Sequence, residues 1–278
     1  MIRLLVDSAA DFSQEEIKEQ AIEMVPLKVL MHEREYLDGI DLFHDDFYEE
    51  LVHSQAFFKT SQPSPQAFLK FFEQAKQQGD TLICILISSG LSGTFQSARL
   101  AKSMVEYENI YLIDSLSATA GIRILVEKAQ TMIQEGKQAQ DIVSCLEELK
   151  QHIQILAVVD TLEYLSRGGR VSKTVATIGE MANIKPLITV DSQGKVEVIG
   201  KRPGIIRATS QLIKTLETVE VDLEYPMYSL YTYGCKNCEK MELKLEKNGV
   251  NCQKRLQIGP TIGTHVGPEA FGICFVQK

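Results

Sequence analysis

Residues able to hold an anion gather in four loops rich in glycine and hydroxyl groups. The run Ser88-Ser89-Gly90-Leu91-Ser92-Gly93-Thr94 follows an apolar stretch and opens a helical pattern, so Ser92, Gly93 and Thr94 lie near a helix N-terminus. Free backbone N–H groups and the positive end of the dipole favour an anion there, and the hydroxyls add donors. Neither a G-x-x-x-x-G-K phosphate loop nor a G-x-G-x-x-G dinucleotide fingerprint occurs. The expected anion is therefore smaller than a nucleotide, and a carboxylate fits. Thr60-Ser61-Gln62-Pro63-Ser64-Pro65 is a second such turn. Ser64 reads as a helix cap and Pro65 as the first helical residue, which leaves Thr60, Ser61 and Gln62 without a structural purpose.

The third loop, Leu165-Ser166-Arg167-Gly168-Gly169-Arg170, is a cationic glycine turn. The fourth runs from Ile258 to Pro268 and holds three glycines, two prolines and His265. Such a loop lets backbone approach a ligand closely, and a histidine there is better placed for chemistry than one on an apolar face. Asp7-Ser8 and Asp114-Ser115 each follow a strand, where they cap helices or line the crevice at strand ends. Ser92 and His265 also permit a hydrolase reading. Gly90-Leu91-Ser92-Gly93 lacks the spacing of a G-x-S-x-G elbow, however, and no acid partner for the histidine can be picked out. Cys235-Lys236-Asn237-Cys238 has zinc or dithiol spacing, but a structural zinc site needs four ligands and no second pair follows. No metal is expected.

The elements that must position these loops divide into two halves. Apolar runs Ile2 to Val6, Leu82 to Ile87, Ile110 to Ile113 and Ile155 to Val159 read as buried strands. Helical spacing covers Ser64 to Gln77, Ser92 to Val105 and Ser117 to Glu135. Strand–helix alternation predicts an N-terminal α/β domain, residues 1–153, with a parallel sheet flanked by helices. Pro186 to Val190 and Lys195 to Ile199 flank a polar turn and predict a β-hairpin. Strand candidates Met227 to Thr232, Gln253 to Ile258 and Gly272 to Val276 follow, with helices over Ile205 to Leu216 and Glu239 to Lys247. Residues 154–278 are thus expected to form a C-terminal α/β domain with a mixed, partly antiparallel sheet.

Composition narrows the function. A net charge of −8 with scattered Lys and Arg argues against nucleic acid as a partner. No stretch approaches the roughly 20 apolar residues that cross a bilayer, and the N-terminus lacks the features of an export signal. With six cysteines and no such signal, a reducing cytoplasm is the expected compartment, without stable membrane anchoring.

Together these motifs resemble the DegV family. The resemblance is carried by Val6-Asp7-Ser8-Ala9-Ala10-Asp11, Thr60 to Pro65, Ser89 to Thr94, Ile113-Asp114-Ser115, Leu162-Glu163-Tyr164-Leu165 with Gly168-Gly169-Arg170, Asn183-Ile184-Lys185-Pro186, and Gly263 to Pro268. It implies a two-domain α/β protein that buries one long-chain fatty acid between its domains, with the bound acid as its only ligand and no other cofactor. It also implies a role as the lipid-binding, non-enzymatic subunit of a bacterial fatty acid kinase. A separate ATP-dependent kinase subunit would then form the acyl-phosphate for phospholipid synthesis. Carried over by motif, Thr60, Ser92 and His265 would bind the carboxylate, with Ser61 and Thr94 beside them. Small residues Ala120 and Gly121 could line the tail, and a kinase would find electrostatic handles in Arg170 and Arg202, among Arg167, Lys173, Lys201 and Arg207. A lipid sensor or a carrier of another amphiphile would use the same pocket.

Overall fold

The computed structural model describes residues 1–54, 57–174 and 183–278. The chain opens with β1 (Ile2–Asp7), a 3-10 turn (Ser8–Ala10), α1 (Gln14–Glu19) and β2 (Ile22–Val25). Short strands β3 (Lys28–Met31) and β4 (Arg34–Leu37) follow, then α2 (His44–His53) and β5 (Lys59–Ser61). Next come α3 (Pro65–Gln78), β6 (Thr81–Leu86), α4 (Thr94–Val105), β7 (Ile110–Asp114), α5 (Ala120–Gln134) and α6 (Ala139–Leu149). The later part contains β8 (Ile153–Val158), α7 (Glu163–Arg167), β9 (Ile184–Val190), β10 (Val196–Pro203) and α8 (Ile205–Leu216). It ends with β11 (Tyr228–Tyr231), α9 (Lys236–Lys247), β12 (Lys254–Gln257), α10 (Pro260–Val266) and β13 (Phe271–Val276).

The first sheet is parallel throughout, in the order β2-β1-β6-β7. Both faces are buried, because alternate residues feed different cores. Leu82, Cys84 and Leu86 pack with Phe68, Phe72, Ala98 and Ala101 of α3 and α4. Ile83, Ile85 and Ile87 instead join Ile122, Leu125 and Val126 of α5. That second core continues without interruption into Ile155, Leu230, Ile258 and Cys274 on the next sheet. This six-stranded sheet, ordered β10-β9-β8-β13-β11-β12, is antiparallel except for the β11–β12 pair. Its far face packs on α8 and α9 through Leu212, Met241, Phe271 and Phe275. The molecule is therefore layered helix, sheet, helix, sheet, helix, and α5 is common to both sheets. The mixed α/β architecture agrees with the expectation from sequence.

One element was not anticipated. Within the N-terminal half, β4-β3-β5 form a small antiparallel sheet. Val29, Met31, Phe47, Tyr48 and Phe58 tie it to α2 as a separate apolar unit. It carries Thr60 up against α10.

Candidate functional site

A cavity opens where the ends of β6 and β7 meet β8, β11 and the wall formed by α10. Its atom-free space is about 770 Å³ when the open solvent at its mouth is included. Ile87, Leu91, Ala118, Ile155, Val190, Leu230, Ile258 and Ile262 give it a mainly apolar wall. Polar side chains concentrate among Thr60, Ser92, Arg170 and His265. Such a lining suits a ligand with a long apolar body and one anionic head, since each buried methylene is worth about 0.8 kcal/mol.

Helix α10 begins with Pro260 at its first turn and stops at Gly267, whose φ of +75° suits glycine. Gly263 lets the helix approach α2: an added Cβ would sit 2.5 Å from Tyr48 Oη. His265, in the last turn, is 8% exposed, and its Nε2 lies 2.7 Å from Thr60 Oγ1. Its Nδ1 is buried without a partner, facing Gly168, where a Cβ would come within 2.1 Å of it. An unpaired acceptor is commoner in buried sites than an unpaired N–H. That assigns the proton to Nε2, which donates to Thr60 and leaves the threonine O–H free to donate into the cavity. Burial, with the Arg170 charge beside it, pushes the imidazole down to about 3, so the ring is neutral at pH 7.

Arg170 lies on the cavity wall rather than free on the surface. It donates from Nε to Leu91 O at 3.1 Å and also to Gly168 O. Burial lowers its pKa from the ordinary arginine value, and it is the one guanidinium or ammonium group among the described lining residues. The turn holding it is set by Gly168 and Gly169: Gly168 N–H donates to Tyr164 O, and Arg170 N–H to Leu165 O at 2.8 Å.

Ser92 enters the wall just before α4, and its Oγ is 2.8 Å from Thr94 Oγ1. Thr94 is fully buried and holds that hydroxyl in place rather than lining the cavity. Ser61 follows Thr60 on β5, where alternation sends it to the opposite, exposed side. Ala120 and Gly121 are buried in the first turn of α5, but the lining comes from Ala118 and Thr119 just before them. Arg202 lies outside the cavity lining, on β10, where it bonds Lys201 O and Gln211 Oε1, each at 2.8 Å. Asp7 acts as a cap and as a brace, its carboxylate accepting from Ala9 N at 3.0 Å and Ile87 N at 2.7 Å.

Ser92 and His265 share no hydrogen bond among the described residues, and His265 has no acid behind it. The nucleophile–base pairing a hydrolase requires is not formed. The cysteine pair is no better prepared for chemistry. The Cys235 and Cys238 thiols donate to Glu239 and Glu242, and both are pushed above their ordinary value, Cys238 to about 12 by burial. That opposes thiolate formation.

Sequence reasoning missed a buried acidic group beneath α10. Asp38 accepts from Thr261 N–H and O–H, and burial raises it to about 6. Burial also raises Asp7, to about 7, and Asp11 well above the usual range. Arg123 supports this region, donating to Ala10 O at 3.1 Å, to Asp11 O, and to both oxygens of Glu16 at 2.7 Å. The acids occur in ordinary turn sequences, so only the fold reveals that they meet.

Comparison with known proteins accounts for the whole chain. The model of the DegV family of uncharacterised proteins matches residues 1–278. A DegV domain-containing protein of Caldanaerobacter subterraneus is 35% identical, the match covering 100% of this chain and 99% of that one. A fatty-acid-binding DegV family protein from Thermus thermophilus superposes with a TM-score of 0.88 at 27% identity, covering 100% of this chain and 99% of that one. DegV of Bacillus subtilis, solved as a fatty acid binding protein, gives a TM-score of 0.85 at 30% identity over 100% and 99% of the two chains.

Proposed function

This chain belongs to the DegV family, and on that premise we propose that it binds one long-chain fatty acid and presents the carboxylate to a separate ATP-dependent kinase subunit. The acyl-phosphate so formed would enter phospholipid synthesis. The protein itself performs no catalysis, takes no cofactor besides the lipid, works in the cytoplasm and has no nucleic-acid partner. Residues 1–153 and 154–278 act as two domains with the ligand between them.

One observation carries this reading: Thr60 and His265, 205 residues apart, meet at 2.7 Å on the wall of an apolar cavity. A carboxylate can accept about four hydrogen bonds. The Thr60 and Ser92 hydroxyls donate two of these, the His265 Nε2–H holds the Thr60 oxygen so that its own proton turns to the ligand, and Arg170 offsets the charge, as burial of an anion requires. Thr94 positions Ser92. Ser61, Ala120 and Gly121 contribute indirectly, through strand and helix geometry. Arg202, half-buried on Gln211, serves with the outer edge of Arg170 as a docking handle for the kinase.

The test is native mass spectrometry of the purified protein, followed by solvent extraction. Release of one fatty acid per chain is expected. A protein that is empty and takes up no added fatty acid would refute the reading. The kinase step is tested separately, by ATP-dependent acyl-phosphate formation with a fatty acid kinase catalytic subunit. Charge reversal at Arg202 should weaken that reaction while sparing lipid binding.

A further inference from the structure

The cavity wall contains one hydroxyl that the head group does not explain. Thr119 lines the cavity and is 3% exposed, and its Oγ1 is buried with no hydrogen-bond partner. Every other lining hydroxyl among the described residues is engaged. Thr60 meets His265, Ser92 meets Thr94, Thr261 donates to Asp38, and Thr189 reaches Val190 O at 3.5 Å. A threonine at a helix N-cap ordinarily turns its hydroxyl back onto the first turn. Thr119 caps α5 but makes no such bond.

The backbone holds it in that posture. Thr119 has φ +51° and ψ −125°, a conformation that β-branched residues seldom adopt. It is fixed there because its N–H donates to Ala9 O at 2.8 Å while its carbonyl accepts from Ile122 N at 3.1 Å. A valine would fill the same space with no orphaned polar atom. Strain and an unpaired hydroxyl coincide at one residue of the cavity lining.

We infer that Thr119 is a second polar anchor, one that reads an oxygen carried on the acyl chain, so that the cavity prefers a hydroxylated fatty acid to a plain one. The inference rests on the fatty-acid reading above. A buried hydroxyl left unpaired by a plain chain and paired by a hydroxylated one discriminates by about one hydrogen bond, roughly five- to tenfold in affinity. A bound water would be a poorer partner, because it needs two or more polar neighbours.

The experiment measures affinities of stearic acid and of hydroxystearic acids whose hydroxyl is placed at successive carbons, by displacement of a fluorescent fatty acid. For the wild type, one position or two adjacent ones should bind about five- to tenfold more tightly than stearic acid. Thr119→Val should bring that ratio to about one, and Thr119→Ser should retain the preference. A flat response along the chain in the wild type would overturn the inference even if Thr119→Val does not fold. Equal weakening of plain and hydroxylated acids by Thr119→Val would also overturn it, by making Thr119 a carboxylate ligand or a purely structural residue. Failure of every acid to bind, stearic acid included, would instead refute the underlying lipid reading.

Discussion

Acidification should destabilise the ligand-free protein through His265, and the size of the effect follows from where that ring sits. The imidazole is held near 3 by burial and by Arg170, against an unfolded value of about 6.5. Between those values the unfolded chain takes up a proton that the folded chain refuses. Stability from this residue is therefore complete above about pH 6.5 and is lost as pH falls. At about 1.4 kcal/mol per pH unit, the loss on reaching pH 5 is about 2 kcal/mol. Asp7 and Asp38 work in the opposite sense, since burial raises them to about 7 and about 6. Their folded forms keep protons that the unfolded chain releases, so their contribution weakens as pH rises from about 4 towards those values. The wild-type profile sums both trends, and a difference between two proteins isolates one. Urea unfolding followed by far-ultraviolet circular dichroism, for the wild type and His265→Gln, should show the variant gaining about 2 kcal/mol relative to the wild type between pH 7 and pH 5. Profiles that stay parallel across that range would show that the ring is protonated or rehydrated in the folded state, and the assignment of a neutral Nε2–H donor would fall with it.

Three further outcomes follow from particular contacts. Gly168→Ala places a Cβ 2.1 Å from His265 Nδ1 at a residue whose φ of −73° any amino acid accepts; fatty-acid affinity should drop at least about tenfold with a melting temperature close to that of the wild type, and unchanged affinity would refute the packing of that ring. Arg123→Met leaves the Ala10 and Asp11 carbonyls without their donor and removes the guanidinium 4.2 Å from the Phe12 ring; denaturant titration should show a loss of about 3 kcal/mol. Thr60→Val and Ser61→Ala separate two adjacent hydroxyls on opposite faces of β5; fluorescence displacement should find about a tenfold loss for the first and less than about twofold for the second.

The parts of the fold legible in the sequence were those with a repeating apolar signal. β1, β6 and β7 are continuous apolar runs, and the β9–β10 hairpin declares itself through Asp191-Ser192-Gln193-Gly194. The β3–β4–β5 sheet was not legible, because its strands have four residues or fewer and two carry charged, exposed positions, Arg34 on β4 and Lys59 on β5. At the site, loop chemistry pointed to Thr60, Ser92 and His265, which the fold brings to one cavity. Spacing could not say which of two neighbouring hydroxyls faces inward, so Ser61 was indistinguishable from Thr60. Nor could it show that Thr119, a polar residue in an unremarkable stretch, adopts a left-handed backbone and forms part of the tunnel. Those facts depend on strand parity and on contacts between residues more than a hundred positions apart.

Helix α5 has a consequence for modularity. Ile122, Leu125 and Val126 fill a core whose other members come from both sheets, so this middle layer is complete only with both halves present, although each half keeps an outer core of its own. Halves exchanged between relatives would meet surfaces shaped for a different neighbour, much as a keystone cut for one arch does not fit another. Similarity to a relative extends across the whole chain, the shared middle layer included.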